Sequence, residues 1–285
     1  MSGGYAGAAG VIGWPVAHSR SPVIHRFWLA KLGLDGDYGR FAVEPAALAT
    51  VLHALAPLGL RGVNLTVPHK QAALPHLDAL DLSAREAGAA NTVVVGADGK
   101  LTGHNTDGAG FLEPLRRDLA RPNLFRMARL FGTGGAAAGI ARALAGAGVT
   151  LVVIGRNKAK AEALIAGLPG EHHAADLAHF AGPTDFAFDD RAGILDLVVN
   201  ATTLGMAGQP PLAIDWSHVP PGSIVYDIVY SPRETPLLAQ ARARGHRTID
   251  GLAMLVGQAA VAFELFFGVP APRDHDAELF ALLGA

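Results

Sequence analysis

The stretch RLFGTGGAAAGIARALAGAGVTLVVIGRNK, residues 129–158, decides the fold of this chain. Residues 129–131 predict a short, weak strand that opens into the glycine-rich turn at 132–135. An alanine-rich helix follows and ends near the glycines at 146 and 148, and residues 149–154 predict a buried strand. Strand, glycine turn, helix and strand in this order are typical of a dinucleotide-binding unit. The sequence therefore predicts an α/β protein with a parallel sheet.

The end of the second strand indicates which dinucleotide is bound. An NAD site usually has an acidic residue about 20 positions after the glycines, for the ribose hydroxyls, whereas an arginine there receives a 2′-phosphate. This chain has Arg156 and Asn157 at that point, Lys160 nearby, and no acid before Glu162. A guanidinium binds a phosphate that a carboxylate would repel, so NADP is favoured over NAD. The alternative is a solvated basic start to the next helix. Ala137 stands where the third glycine of the fingerprint is common.

A second stretch, VNLTVPHK at 63–70, predicts a strand followed by the start of a helix. Alternation would bury Val63, Leu65 and Val67 on one face and direct Asn64 and Thr66 to the other. Pro68 ends the strand and places Lys70 at the beginning of the next element. An ammonium, a hydroxyl and an amide could then converge on one small hydroxylated ligand. The alternative is an edge strand that ends in a solvated lysine.

Three further polar residues stand near predicted helix starts. Ser21 followed by Pro22 predicts an N-cap and a first turn, and Ser19 lies beside it. Free N–H groups at a helix start attract anions, so both serines are candidates for a carboxylate or phosphate site; an ordinary cap is the alternative for Ser21. A predicted hairpin at 92–104 leads to Asp107, which is either a site residue or the cap of the helix near Ala109.

Composition limits the classes of function. A chain of 285 residues with net charge −2 and dispersed basic residues gives no electrostatic support for a nucleic-acid or membrane-surface partner. Without cysteine, disulfides and thiolate chemistry are excluded, and we expect a cytoplasmic protein. No apolar run is long enough to span a membrane. The histidines show no metal-binding spacing, so we predict no metal site. We expect small-molecule substrates and a monomer or homodimer.

Taken together, an ordered series of motifs over nearly the whole chain resembles the shikimate dehydrogenase family. The motifs are GWPVAHSRSPVIH (13–25), NLTVPHK (64–70), GAANT (88–92), NTDG (105–108), GTGG (132–135), NATTLGM (200–206), YDIVYSP (226–232) and GLAMLVGQ (251–258). The resemblance implies an N-terminal α/β substrate domain, a Rossmann-type NADP domain and a C-terminal helix that packs back on the first domain. We place the substrate domain at 1–108 with 251–285 and the NADP domain at 109–250.

The resemblance also implies a reaction: reversible NADPH-dependent reduction of 3-dehydroshikimate to shikimate. It implies that Lys70 and Asp107 form the catalytic pair, with Lys70 donating a proton to the developing alkoxide and Asp107 holding Lys70. The implied substrate contacts are Ser19, Ser21, Asn64, Thr66, Asn91, Tyr230 and Gln258, with Tyr230 at the domain junction. The expected cofactor-binding residues are Gly132, Gly134, Gly135, Ala136, Arg156, Asn157, Lys160, Thr202 and Gly251.

Two alternatives stay open. One is a quinate/shikimate dehydrogenase that uses NAD or both cofactors. The other is a paralogue with little activity that acts as a binding protein, although such a protein has no need of Lys70 and Asp107. Residues 180–193 do not match the family pattern, and we predict a longer surface loop there.

Overall fold

The computed structural model describes residues 5–185 and 193–284. Residues 186–192, within the predicted surface loop, lie outside this description. The chain is grouped into two compact units. One comprises Met1–Asp107 with Val256–Ala285, and the other comprises Gly108–Leu255. Each unit is built around its own sheet.

The sheet of the first unit has six strands in the order β2-β1-β3-β5-β6-β4. The strands are β1 (Gly7–Gly13), β2 (Gly36–Ala42), β3 (Leu60–Leu65), β4 (Ala79–Leu80), β5 (Thr92–Val95) and β6 (Leu101–His104). β3 pairs parallel with β1 and antiparallel with β5. The stretch at 63–70 therefore starts in an interior strand, and the edge-strand alternative is wrong.

The predicted burial of Val67 is also wrong. β3 ends at Leu65, and the N–H of His69 bonds the carbonyl of Thr66 at 2.8 Å. This turn interrupts the alternation of the strand, so Val67 is directed outward and is 57% exposed. Val63 and Leu65 are buried as expected. The short helix that follows starts at His69 and therefore carries Lys70 in its first turn.

Four helices accompany this sheet before Asp107. They are α1 (Ser21–Lys31), α2 (Leu48–Ala54), α3 (His69–Ala72) and α4 (Leu82–Ala87). The prediction that Ser21 caps α1 is wrong, because the backbone of Arg20 is already helical (φ −89°, ψ −8°) and the helix begins at Ser21 itself. The hydroxyl of Ser19 instead accepts the N–H of Ser21 at 3.3 Å. Pro22 lies in the first turn as predicted.

The sheet of the second unit is parallel throughout, in the order β12-β11-β10-β7-β8-β9. Its strands are β7 (Phe125–Phe131), β8 (Thr150–Gly155), β9 (His173–Asp176), β10 (Ile194–Asn200), β11 (Ile224–Asp227) and β12 (Arg247–Ile249). Numbered within the unit, this is the order 3-2-1-4-5-6 of dinucleotide-binding sheets. The predicted Rossmann-type architecture is confirmed.

β7 is longer than the weak strand predicted at 129–131 and lies in the middle of the sheet. The sequence obscured this because the strand contains a charged residue, Arg129. The structure buries Arg129 and pairs it with Asp196 of β10 at 3.1 Å. Burial raises the pKa of Asp196, while the guanidinium opposes that rise. An ion pair between β7 and β10 thus occupies a position in the sheet where apolar side chains usually pack.

Among the described residues, two helices precede the strands of the second unit and three lie between its strands. They are α5 (Asp107–Leu112), α6 (Arg116–Leu119), α7 (Gly135–Gly146), α8 (Lys158–Ile165) and α9 (Pro236–Ala243). α7 buries Ile140 and Leu144 in a core with strand residues such as Leu130 and Val153. This packing fixes the start of α7 at the end of β7, where the glycine-rich turn lies.

Two helices complete the chain: α10 (Gly251–Phe267) and α11 (Asp276–Leu282). α10 begins in the second unit and continues into the first. In the first unit its residues Ala262 and Phe266 pack against Ala9 and Val11 of β1 and Tyr38 of β2. The predicted C-terminal helix on the first domain is therefore present, and it carries Gln258 toward the sheet of that unit.

Candidate active site

The first unit holds an ion pair between Lys70 and Asp107. Lys70 lies in α3, and Asp107 is the first residue of α5 after strand β6. The Nζ atom of Lys70 donates to Oδ2 of Asp107 at 2.6 Å. The side chains are 16% and 4% exposed, so this lysine is not a solvated strand end. A nearly buried ammonium held by a carboxylate is suited to proton donation and to the stabilisation of a developing negative charge.

Asn91 orients Asp107 from the other side. Its Nδ2 donates to Oδ1 of Asp107 at 2.8 Å and to Oγ1 of Thr106 at 2.9 Å. Its Oδ1 accepts the backbone N–H of Thr106 at 2.8 Å. Gln258 of α10 lies at the edge of this group, with Oε1 at 3.4 Å from Oγ1 of Thr106 and 3.5 Å from Nδ2 of Asn91. Three predicted site residues, Asn91, Asp107 and Gln258, are thus brought together.

Asn64 is buried, and both polar atoms of its side chain bond protein groups. Its Oδ1 accepts the phenol hydrogen of Tyr38 at 2.6 Å. Its Nδ2 donates to Oγ1 of Thr92 at 2.9 Å and to the carbonyl of Asn91 at 3.2 Å. Thr66 differs, because its half-buried side chain makes no hydrogen bond to another described residue. Of the polar side chains in β3 and in the turn after it, that of Thr66 is therefore best able to bind a ligand.

Ser19 and Ser21 form a small polar group at the start of α1. Both are buried, and the hydroxyl of Ser19 lies 3.3 Å from that of Ser21. Arg40 of β2 donates from Nε and Nη2 to the carbonyl of Ser19, at 2.9 and 2.7 Å. The loop before α1 is thereby tied to the sheet, and two hydroxyls beside a helix start can bind a carboxylate.

The glycine-rich turn of the second unit lies between β7 and α7. Gly132 has φ +125°, which favours glycine, and a Cβ there would lie 2.7 Å from the carbonyl oxygen of Ala201. Gly134 precedes α7, and Gly135 and Ala136 form its first turn, with N–H groups that have no helical acceptor. Such a turn accommodates a pyrophosphate.

A cavity of about 340 Å³ lies beside this turn and is lined by Thr133, Arg156, Asn157 and Lys160. The three residues predicted to bind a 2′-phosphate, Arg156, Asn157 and Lys160, therefore line one cavity. Asn157 also caps α8, because its Oδ1 accepts the N–H of Lys160 at 3.3 Å. A further cavity of about 370 Å³ in the first unit is lined mainly by apolar side chains such as Leu55 and Leu58, and we assign it no part in the chemistry.

The remaining predicted residues of the second unit occupy chain turns. Oγ1 of Thr202 donates to Oδ1 of Asn200 at 2.7 Å and accepts the N–H of Leu204 at 3.0 Å, which shapes the loop after β10. Tyr230 is half-buried after β11. Gly251 starts α10, and a Cβ there would overlap the carbonyl of Ile228. Close packing is thus one reason for glycine at 251.

The sequence did not reveal the residues that form hydrogen bonds with the predicted site residues. Tyr38, Thr92 and Thr106 all bond predicted site residues, and all are buried. The signal available for Thr92 and Thr106 was their place within GAANT and NTDG; Tyr38 lies outside every motif. In residues 5–185 and 193–284, no group of acidic or histidine side chains is arranged to hold a metal ion. Within the same described ranges, no helix has the length and apolar character needed to cross a membrane.

Comparison with known proteins identifies the family. The model of the shikimate dehydrogenase substrate binding domain matches residues 11–93, and that of the shikimate 5′-dehydrogenase C-terminal domain matches residues 251–278. A shikimate dehydrogenase (NADP(+)) from Rhodospirillum rubrum is 49% identical, with 100% of this chain and 99% of the relative covered.

Solved structures agree with this assignment. Shikimate 5-dehydrogenase from Thermus thermophilus, in complex with NADP(H) and shikimate, has a TM-score of 0.80 and 35% identity over 97% of this chain and 99% of that chain. Quinate dehydrogenase from Corynebacterium glutamicum, in complex with NAD, has a TM-score of 0.81 and 34% identity over 96% of this chain and 98% of that chain. Full-length identity of this level and the matching fold lead to one conclusion: the chain belongs to the shikimate dehydrogenase family.

Proposed function

We propose that this protein is an NADP-dependent shikimate dehydrogenase, which reversibly reduces 3-dehydroshikimate to shikimate. The observation that carries the proposal is the nearly buried pair of Lys70 and Asp107, with 2.6 Å between Nζ and Oδ2. Relatives named for this activity align with the full length of the chain. In this proposal the first unit binds the substrate and the second binds NADP.

Lys70 supplies the proton. When the ring ketone gains a hydride, negative charge develops on its oxygen, and the Nζ of Lys70 stabilises that charge and transfers a proton to it. Asp107 holds Nζ in place and accepts from Asn91 with its other oxygen, so neither partner is free to rotate. Because the Lys70 side chain is 16% exposed, Nζ can regain its proton from water. In the oxidative direction the same atoms act in reverse.

The other polar groups orient the substrate. Ser19 and Ser21 beside the start of α1 suit the carboxylate, because hydroxyl and free N–H groups favour an anion there. Thr66, whose hydroxyl has no bond to another described residue, suits a ring hydroxyl. Gln258 and Asn91 lie next to Asp107 and extend the same polar surface. The carboxylate and one ring hydroxyl thus each have a partner of matching chemistry.

The second unit fits NADP. The turn at Gly132 and the first turn of α7 suit the pyrophosphate, and the cavity of Arg156 and Lys160 suits the 2′-phosphate. When bound, NADPH supplies the hydride that reduces the ring ketone. Thr202 and Gly251 shape loops after β10 and before α10, and we propose that these loops border the cofactor. Tyr230 is proposed to contact the substrate.

The first test is the initial rate of nicotinamide reduction with shikimate or quinate, each with NADP or NAD. Fast turnover with shikimate and NADP alone supports the proposal. Comparable rates with quinate and NAD would support the quinate/shikimate alternative, to which the similar quinate dehydrogenase fold gives weight. NADP binding without turnover of any pair would favour a binding protein and would contradict the proposal.

The second test removes the ammonium. In Lys70→Ala we expect kcat to fall by about 100-fold or more, the usual contribution of a positioned acid, while shikimate binding changes less. Lys31→Ala is the matched control, because Lys31 is in the same unit and pairs with Glu278 at 2.6 Å without contact to the site. A loss in Lys70→Ala confined to KM would contradict the proposed role.

A further inference from the structure

Tyr38 joins two candidate substrate-binding segments. Its side chain is fully buried in β2, and its phenol donates to Oδ1 of Asn64 in β3 at 2.6 Å. Its ring stacks on His25 of α1, the helix that starts at Ser21. One side chain therefore contacts the helix at the carboxylate end and Asn64 at the ring end of the proposed substrate site. Tyr38 itself lies outside the family motifs.

The direction of each bond follows from the acceptors present. The carbonyl of Asn91 can only accept, so Asn64 must direct Nδ2 toward it and Oδ1 toward Tyr38. The single phenol hydrogen then lies on the bond to Asn64. The Oδ1 atom of Asn64 is thus held by Tyr38, and its Nδ2 atom by Thr92 and Asn91.

The ring of Tyr38 is held in place by His25. Their rings stack at 4.0 Å with 6° between the planes, and Trp28 meets the edge of His25 at 5.8 Å. Within the described part of the chain, neither ring nitrogen of His25 has a hydrogen-bond partner. Burial lowers the pKa of His25 to about 3 and raises the pKa of Tyr38 well above its usual value. Both rings stay neutral, and the phenol keeps its hydrogen.

We propose that Tyr38 is a positioning residue for the substrate: through its hydrogen bond to Asn64 it fixes a polar group that binds shikimate, without contacting shikimate itself. This inference rests on the proposed function. It predicts that loss of the phenol oxygen harms substrate binding and leaves cofactor binding and proton transfer largely intact. Oδ1 of Asn64 would lose the phenol donor that holds it.

The test is Tyr38→Phe, which keeps the ring and its stacking on His25. Loss of one buried hydrogen bond to an acceptor should raise KM for shikimate about tenfold, whereas kcat and KM for NADP should change less than about threefold. Tyr226→Phe is the matched control: Tyr226 is equally buried, but its hydroxyl has no partner among the described residues, so its KM for shikimate should stay that of the wild type.

A double-mutant cycle identifies the route. If Tyr38 acts through Asn64, Tyr38→Phe should raise KM clearly less in an Asn64→Ala background than in the wild type. Equal KM increases in both backgrounds, an unchanged KM in Tyr38→Phe, or equal losses in kcat and in NADP binding would overturn the inference while the proposed function stands. A wild-type protein that fails to turn over shikimate with NADP overturns both.

Fluorine NMR decides the case if Tyr38→Phe does not fold. Wild-type protein carrying 3-fluorotyrosine has four signals, one for each tyrosine. The Tyr38 signal is assigned by elimination with phenylalanine variants of Tyr5, Tyr226 and Tyr230. We expect it to shift when shikimate is added, because shikimate bound at Asn64 changes the hydrogen bond that Tyr38 donates. A signal that does not move would overturn the inference.

Discussion

Removal of the Arg156 charge should change cofactor preference. Arg156 and Lys160 line one cavity with Thr133 and Asn157, and both basic residues are exposed. The electrostatic attraction between a dianionic phosphate and a unit charge about 4 Å away is roughly 2 kcal/mol at the dielectric of water. Because both groups are exposed to solvent, the hydrogen bonds between them contribute an energy of the same order. We therefore expect Arg156→Gln to raise KM for NADP about 10- to 30-fold. KM for NAD, which lacks that phosphate, should change less than about twofold.

The assay is steady-state shikimate oxidation at saturating shikimate, with NADP or NAD varied. Lys158→Gln is the matched control, because Lys158 carries the same charge two residues away, pairs with Glu162 at 3.8 Å and does not line the cavity. Higher salt should reduce the Arg156→Gln effect, since exposed charges are screened. An unchanged NADP to NAD preference, or an equal effect in Lys158→Gln, would refute the placement of the phosphate beside Arg156.

Two further predictions concern the first unit. Asp107→Asn keeps the shape of the side chain but leaves the Lys70 ammonium without its carboxylate. We expect kcat/KM for shikimate to fall about 100-fold or more, while the circular dichroism spectrum stays unchanged. Kinetics close to those of the wild type would contradict the catalytic role of the Lys70–Asp107 pair. Burial holds the pKa of His25 at about 3, so the unfolded chain binds a proton below pH 6.5 that the native state rejects, and stability is lost as the pH falls. Between pH 6.5 and pH 5 the free energy of unfolding should therefore fall by about 2 kcal/mol. Urea unfolding should show this loss for the wild type but not for His25→Phe. If the free energy of unfolding changes equally with pH in both proteins, the His25 ring is not buried in its neutral form.

The main elements of the site were predictable because they follow from local pattern. The glycine turn, the alanine-rich helix and the strand at 149–154 form one contiguous unit, and the hairpin of β5 and β6 delivers Asp107 to the end of a strand. Pro68 directly precedes α3, which carries Lys70 in its first turn. In each case the determining residues are neighbours in sequence, so periodicity and turn chemistry suffice.

The errors arise where a distant partner decides the local structure. Arg129 weakened the strand pattern of β7, but Asp196, far along the chain, neutralises it in the sheet. The error at Ser21 has a local cause instead, because the backbone of Arg20 is already helical and the hydroxyl of Ser19 accepts the N–H of Ser21. Tyr38 was invisible because its role depends on the register of β2 with β1, which brings it beside Asn64. Such pairings are not encoded in any one segment.

Six polar residues of the first unit form one connected chain of hydrogen bonds. In order they are Tyr38, Asn64, Thr92, Asn91, Asp107 and Lys70. A ligand group that replaces one of these bonds adds only about 0.5–1.5 kcal/mol of net affinity. A ligand that displaces a bond without restoring it leaves a buried group unpaired and costs about 1–3 kcal/mol. The network is therefore better suited to rejecting wrong ligands than to binding the right one tightly, which is the behaviour expected of a site that discriminates among hydroxylated ring acids.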